Sequence, residues 1–186
     1  CVLHEPDKLS TMTTHDPHLL TLRTLAAPLL ESPNPLSRLN ELTLSAQGAA
    51  VCGHILIDLL EEHDLAIGDY DLVIAPEGDA ALAAAMIHAA GGRGLDLDAA
   101  LFLPTQGSAS EMSNSDGQPC FSGSPLAGRK AVLLANSALA DGEEILAAAS
   151  ECGTEIVGCA SLLPDEAARA FAASAGIAYC SPALGD

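Results

Sequence analysis

From residue 71 onward, short apolar runs alternate with alanine-rich stretches. Each run is nearly continuous in apolar residues, which is typical of strands that are buried on both faces. The predicted strands are Asp71–Pro76, Ala99–Pro104, Ala131–Asn136, Glu155–Leu163 and Ile177–Pro182, and the predicted helices are Asp79–Ala90, Gly142–Cys152 and Pro164–Ala175. This order predicts an α/β fold with a parallel sheet and helices on both faces, in which ligands bind at the carboxyl ends of the strands.

Two further helices are predicted before the first strand. Asp16 followed by Pro17 is typical of an N-cap and a first helical residue, and the apolar stretch that follows ends at Leu30, before a Pro-rich segment. A second helix is predicted over Ser45–His63, with Val51, Ile55, Leu59 and Leu60 on one face. Residues 1–14 are polar and aperiodic and are predicted to be a loose arm, leaving 15–186 as one domain.

The segment 105–124 interrupts the alternation directly after a predicted strand. It is rich in Gly, Ser, Asn and Gln and shows neither helical nor strand periodicity. A loop of this length in a compact domain is usually either a functional lid or a disordered segment. We therefore predict a long mobile loop here and leave these two alternatives open.

The composition excludes several classes of partner. The 186 residues contain 7 Lys and Arg against 25 Asp and Glu, which gives a formal net charge of −18. A surface of this sign repels phosphate backbones and anionic membranes, and no apolar run is long enough to span a bilayer. We expect neither nucleic acid nor a membrane as a partner.

The six cysteines show no metal-knuckle spacing. They are predicted to be free thiols in a reducing, cytoplasmic setting, with Cys152 and Cys159 in the core and Cys120 a candidate for exposure. His15 and His18 beside Asp16 are a weak candidate for metal binding, and no metal site is predicted.

One segment, Leu126–Leu146, carries a family resemblance. Its sequence is LAGRKAVLLANSALADGEEIL, which combines a Gly-Arg-Lys lead-in, an apolar strand, a short loop ending in Gly142 and a helix. The segment resembles the corresponding part of type I phosphoribosyltransferases, most closely orotate phosphoribosyltransferase. The resemblance extends from about Leu36 to the C-terminus and implies the phosphoribosyltransferase fold with a reduced N-terminal hood.

The resemblance also places the family's binding loops on this sequence. Two adjacent acids that hold ribose hydroxyls and help to place magnesium are replaced by Asn136 and Ser137, so magnesium is implied by the family but no cofactor is predicted. The 5′-phosphate loop becomes the degenerate ribose-phosphate loop Asn136, Ser137, Ala138, Leu139, Ala140, Asp141 and Gly142, and the diphosphate loop becomes Pro76, Glu77, Gly78 and Asp79. Carboxylates at Glu77, Asp79, Asp141 and Glu143 oppose phosphate binding, although the last two also suit a helix N-terminus.

The family's mobile loop carries basic residues that neutralise departing pyrophosphate. Here no Lys, Arg or His occurs between Gly94 and Gly128. Loss of a single stabilising donor can lower a rate by about a hundredfold or more, so no catalytic residue is predicted.

The function expected from these features is that of a catalytically inactive homologue. It would bind a small ligand or act as a regulatory or partner subunit, and the family resemblance together with the uncharged helix Ala80–Ala90 favours a homodimer. The alternatives are an active phosphoribosyltransferase with an atypical site, which would convert orotate to orotidine monophosphate, and an unrelated α/β binding domain.

Overall fold

A six-stranded sheet forms the centre of the molecule. The structure is a computed structural model and describes residues 16–35, 38–104, 120–136 and 142–184. The helices are α1 (Pro17–Leu30), α2 (Leu39–Thr43), α3 (Ala46–Glu62), α4 (Ala80–Gly92), α5 (Gly142–Glu151) and α6 (Glu166–Ala175). The strands are β1 (Leu72–Pro76), β2 (Asp98–Leu103), β3 (Cys120–Gly123), β4 (Lys130–Leu134), β5 (Glu155–Ala160) and β6 (Ala178–Cys180).

The strand order is β3-β2-β1-β4-β5-β6. All neighbouring strands are parallel except β3, which runs antiparallel to β2 at one edge. The chain leaves β1 toward β2 on one side and later returns to pair β4 on the other side. The order therefore reverses between β1 and β4. The carboxyl ends of these two strands, here called the crevice, are where open α/β sheets bind their ligands.

Apolar side chains alternate between the two faces of the sheet. Val73, Ala75, Val132 and Leu134 pack in a core with residues of α1, α3 and α4. On the other face, Leu72, Ile74, Ala131 and Leu133 pack with residues of α5, and a smaller cluster holds residues of α6. The predicted α/β fold with helices on both faces is confirmed.

Helix α1 begins at its predicted cap, Asp16, and α3 begins where the second helix was predicted to start. The Asp16 carboxylate accepts the backbone N–H of His18 at 2.7 Å, and the Ser45 hydroxyl accepts that of Gly48 at 3.0 Å. Helices α3 and α4 then approach each other closely, because a Cβ on Gly53 would lie 2.2 Å from the Ala85 carbonyl oxygen. This approach holds α4, which begins at the crevice, against the rest of the core.

A polar cluster joins α1, α3 and the end of α4. The rings of His18 and His54 stack at 5.0 Å, and Arg93 lies 3.0 Å from His54 Nδ1 and 2.7 Å from Asp58. Because a guanidinium only donates hydrogen bonds, Nδ1 of His54 accepts here, and burial is the main reason that the pKa of His54 is lowered. Within the described ranges, no three His, Cys, Asp or Glu side chains converge as they would around a metal ion.

The segment 105–124 is not a loop throughout, and that prediction is wrong at its C-terminal end. Cys120–Gly123 is strand β3, which pairs with Ala100–Leu103 of β2. The pairing partner is distant in sequence, and four residues are too few to show a periodicity. Residues 105–119 lie outside the described part of the chain, as does the arm predicted over 1–14.

Three of the described cysteines are buried, namely Cys52, Cys159 and Cys180, and burial raises the pKa of each thiol to about 12. Cys152 is exposed, so its assignment to the core is wrong: it follows the last residue of α5 and lies in a turn. No helix in the described ranges is both long and apolar enough to cross a bilayer.

Candidate functional site

The candidate site is the crevice at the carboxyl ends of β1 and β4. On one side, β1 ends at Pro76 and continues through a single 3-10 turn, Glu77–Asp79, into α4. On the other side, β4 is followed by Ala135 and Asn136, both fully buried. This is the place where open α/β sheets bind their ligands.

Asp79 and Asn136 meet across the crevice. The backbone N–H of Asn136 donates to the Asp79 carboxylate at 3.0 Å, although the two residues are 57 positions apart in sequence. Asp79 is only 3% exposed and makes a further interaction besides this one. A buried carboxylate therefore joins the end of β1 to the end of β4.

The side chain of Asn136 extends the same connection to β5. Its Oδ1 accepts the backbone N–H of Leu162, two residues past the end of β5. A backbone N–H can only donate, so the orientation of the amide is fixed and Nδ2 is turned away from Leu162. In the part of the chain that the structure describes, Nδ2 has no hydrogen-bond partner, although Asn136 is completely buried. Such an unsatisfied donor costs about 1–3 kcal/mol, which makes it unusual enough to need an explanation.

Beyond β5, Ser161 and Tyr179 form connected hydrogen bonds at this edge, whereas the Ser181 hydroxyl oxygen, directly after β6, is buried without a hydrogen-bond partner among the described residues. The Ser161 hydroxyl lies 2.8 Å from the Leu163 carbonyl oxygen and 2.6 Å from the Tyr179 hydroxyl. Tyr179 also accepts the backbone N–H of Asp165 at 3.0 Å. Among the described residues, Nδ2 of Asn136 is therefore one of two unsatisfied buried side-chain atoms that follow the carboxyl end of a strand.

The other predicted site residues occupy different environments. Glu77 and Gly78 are exposed on the 3-10 turn and Pro76 is half-buried, whereas Asp79 turns inward. Gly142 is the buried first residue of α5, and Glu143 beside it is exposed. Ser137, Ala138, Leu139, Ala140 and Asp141 lie outside the described residues.

Sequence reasoning missed two features of this site. It read Asp79 only as a charge opposing diphosphate and did not identify its bond to Asn136, and it did not single out Leu162 at all. The only available signal was that both acid and amide follow strands predicted to end at the same edge.

The donor set does not fit a magnesium ion. The oxygen of Asn136 already accepts a backbone N–H, and an amide lacks the charge that attracts a hard divalent cation. One oxygen of the Asp79 carboxylate accepts a backbone N–H, and among the described residues no group of three His, Cys, Asp or Glu side chains converges around it. The described residues therefore provide no cage for the metal that the family resemblance implies.

Each of the six described cations is held by the chain's own groups. Arg129 pairs with Asp71 and Asp98, and Lys130 with Glu155, at the amino ends of the strands. Lys130 opens β4 and Asn136 follows its end, so the two are roughly 20 Å apart. The remaining four contact other groups. Arg23 donates to the Ala183 carbonyl oxygen, and Arg38 pairs with Glu41. Arg93 pairs with Asp58, and Arg169 contacts both Glu166 and the ring of Tyr179.

Comparison with known proteins gives one consistent relationship. The chain is 30% identical over 147 residues to orotate phosphoribosyltransferase of Streptomyces avermitilis, a match that covers 76% of this chain and 74% of the relative. No protein-family model matches the chain.

Solved structures agree at the level of the fold. Orotate phosphoribosyltransferase of Mycobacterium tuberculosis in complex with inorganic phosphate gives a TM-score of 0.66 at 21% identity and covers 96% of this chain and 94% of its own. The same protein in complex with 5-phospho-α-D-ribosyl 1-diphosphate (phosphoribosyl pyrophosphate) gives 0.64 at 23% identity, over 96% and 95% of the two chains.

The link between Asp79 and Asn136 predicts a difference between two acids on the same turn. Replacing Asp79 by Ala leaves the buried N–H of Asn136 without its acceptor, so the free energy of unfolding should fall by about 1–3 kcal/mol. The matched control Glu77→Ala removes an exposed acid and should change it by less than about 0.5 kcal/mol. Chemical denaturation measures both, and equal stability of the two variants would contradict the link.

Proposed function

Because the chain belongs to the orotate phosphoribosyltransferase family, we propose that it has the family's fold but does not catalyse the family's reaction. It acts instead as a ligand-binding or regulatory subunit. The observation that carries this proposal is the hydrogen bond between Asp79 and Asn136 at the crevice. A buried carboxylate, Asp79, holds a backbone N–H at the edge where the family resemblance places diphosphate, and Asn136 replaces an acid.

The distribution of charge supports the same conclusion. Transfer of a phosphoribosyl group releases pyrophosphate, and stabilising that developing charge requires cations or oriented donors at the reacting edge. The segment 94–128 contains no basic residue, and the six described cations are already partnered elsewhere. A second copy of the chain would bring the same segment and therefore no additional charge to the reaction.

The contrast with the Mycobacterium tuberculosis relative is specific. That protein has been solved with inorganic phosphate and with phosphoribosyl pyrophosphate. In this chain Glu77 and Asp79 lie on the turn to which the family resemblance assigns the diphosphate, and a like-charge contact in a partly shielded site costs about 1 kcal/mol or more. We propose that this chain does not bind phosphate or phosphoribosyl pyrophosphate.

Titration with phosphoribosyl pyrophosphate and Mg²⁺ by calorimetry tests this proposal. We expect no saturable heat, and no consumption of orotate above the rate without protein. The Streptomyces avermitilis relative, assayed in the same buffer, is the positive control. Magnesium-dependent binding in the micromolar range, or turnover by this chain, would support the alternative of an active transferase with an atypical site.

We also propose that the chain forms a homodimer through a groove between α3 and α4. The groove has a volume of about 460 Å³ and is lined by Leu44, several alanines of both helices, His54 and His88, with no Asp, Glu, Lys or Arg. Leu44 is 73% exposed. Two copies that each carry a charge of −18 repel each other, so contact is least unfavourable at an uncharged apolar face.

Sedimentation velocity tests the dimer. The variant Leu44→Asp should weaken association by about tenfold or more, because it places a carboxylate in the apolar contact. Leu20→Asp alters an exposed leucine of α1 that does not line the groove and should leave the dimer intact. Added salt should strengthen wild-type association by screening repulsion. A wild-type chain that sediments as a monomer at all salt concentrations would refute this interface.

A further inference from the structure

His54 lines the groove between α3 and α4 and also belongs to the polar cluster beside α1. Its Nδ1 accepts a hydrogen bond from Arg93 at 3.0 Å, so the one ring proton of the neutral imidazole is on Nε2. A second proton would turn Nδ1 into a donor that faces the donors of a guanidinium. Protonation of His54 therefore breaks this hydrogen bond and places two positive charges side by side.

The charged and titratable groups around His54 do not compensate for that added charge. The ring of His18, on α1, stacks on it at 5.0 Å. Asp58 is held by Arg93 at 2.7 Å, and Glu61 lies 3.8 Å from the same guanidinium. Burial and then the charges of Arg93 and His18 lower the pKa of His54, and the attraction of Asp58 does not reverse this direction. Because an ordinary imidazole takes up its proton at about pH 6.5, His54 is neutral at pH 7 and becomes charged only in more acidic solution.

The groove itself offers no partner to a positive charge. On the α4 side it is lined by His88 and alanines, and its lining residues include no Asp or Glu. In a two-fold contact the second copy brings the same residues and displaces water from them. An unpaired charge is costly to bury in such a contact, whereas a monomer leaves the groove open to water.

We infer that His54 controls dimerisation through its proton: the neutral ring permits a second copy to pack on the groove between α3 and α4, and the protonated ring releases it. The inference rests on the proposed homodimer and specifies how that interface is regulated.

The sign of the pH dependence distinguishes this control from a general effect of charge. Acidification lowers the net negative charge of each copy, which by itself weakens their repulsion and strengthens association. Control by His54 has the opposite sign, because the dimer binds the proton more weakly than the monomer does. Association should therefore weaken as the pH falls from about 7.5 to about 5.5.

Sedimentation velocity of the full chain at constant ionic strength tests this sign and its origin. We expect wild-type association to weaken by about tenfold over this pH range. His54→Asn keeps an acceptor oxygen for Arg93 near the position of Nδ1 but takes up no proton, so its association should not weaken by more than about twofold. The matched control His88→Asn removes the other imidazole that lines the groove and should keep the wild-type pH dependence. His54→Gln is the second variant if His54→Asn does not fold.

Two results would overturn the inference and leave the proposed interface standing. One is a wild-type dimer that is unchanged or strengthened by acidification, and the other is a His54→Asn dimer that dissociates in acid as the wild type does. A wild-type chain that is monomeric at every pH would refute the interface and the inference together. The non-catalytic function is judged separately, by the consumption of orotate.

Discussion

Two hydrogen bonds at Asn136 connect the ends of three neighbouring strands. The backbone N–H of this residue reaches Asp79 after β1, and its side-chain oxygen receives the N–H of Leu162 after β5. Both bonds are buried, where loss of one partner leaves the other unsatisfied at a cost of about 1–3 kcal/mol. The crevice thus has its polar edge fixed by the chain itself, before any ligand arrives.

The structure shows where some of the acidic side chains lie relative to the crevice. From a net charge of −18 alone, we can conclude only that charge repulsion favours solubility and that the protein repels anions at a distance. The structure adds that one carboxylate is buried at the carboxyl ends of the strands, and that Arg129 and Lys130 pair with acids at the opposite edge. A protein with a similar fold has been solved in complex with inorganic phosphate, whereas in this chain the turn after β1 carries the buried carboxylate of Asp79.

The sequence was sufficient for most of the fold because its signals are local. Asp16 caps α1 as predicted, α3 begins beside Ser45 as predicted, and the buried runs are strands of a mainly parallel sheet. Strand β3 was missed because its pairing with β2 depends on a distant partner. Cys152 was misplaced because the predicted helix ran to Cys152, whereas α5 ends at Glu151 and the cysteine lies in the exposed turn beyond it.

The candidate site was only partly accessible to the same reasoning. The replacement at Asn136 could be read from the resemblance, and the shared edge followed from parallel strands. The partner of each polar atom could not be predicted, because it depends on the side-chain rotamers of Asp79 and Asn136 and on where β5 ends. For the same reason the unsatisfied Nδ2 is visible only in three dimensions.

The most direct test of this account is a crystal structure determined from crystals grown with excess phosphoribosyl pyrophosphate and Mg²⁺. We expect the Asp79 carboxylate to remain on the N–H of Asn136, and neither phosphoribosyl pyrophosphate nor metal to occupy the crevice. A structure in which phosphoribosyl pyrophosphate and Mg²⁺ are bound there, with Asp79 turned away from Asn136, would contradict it.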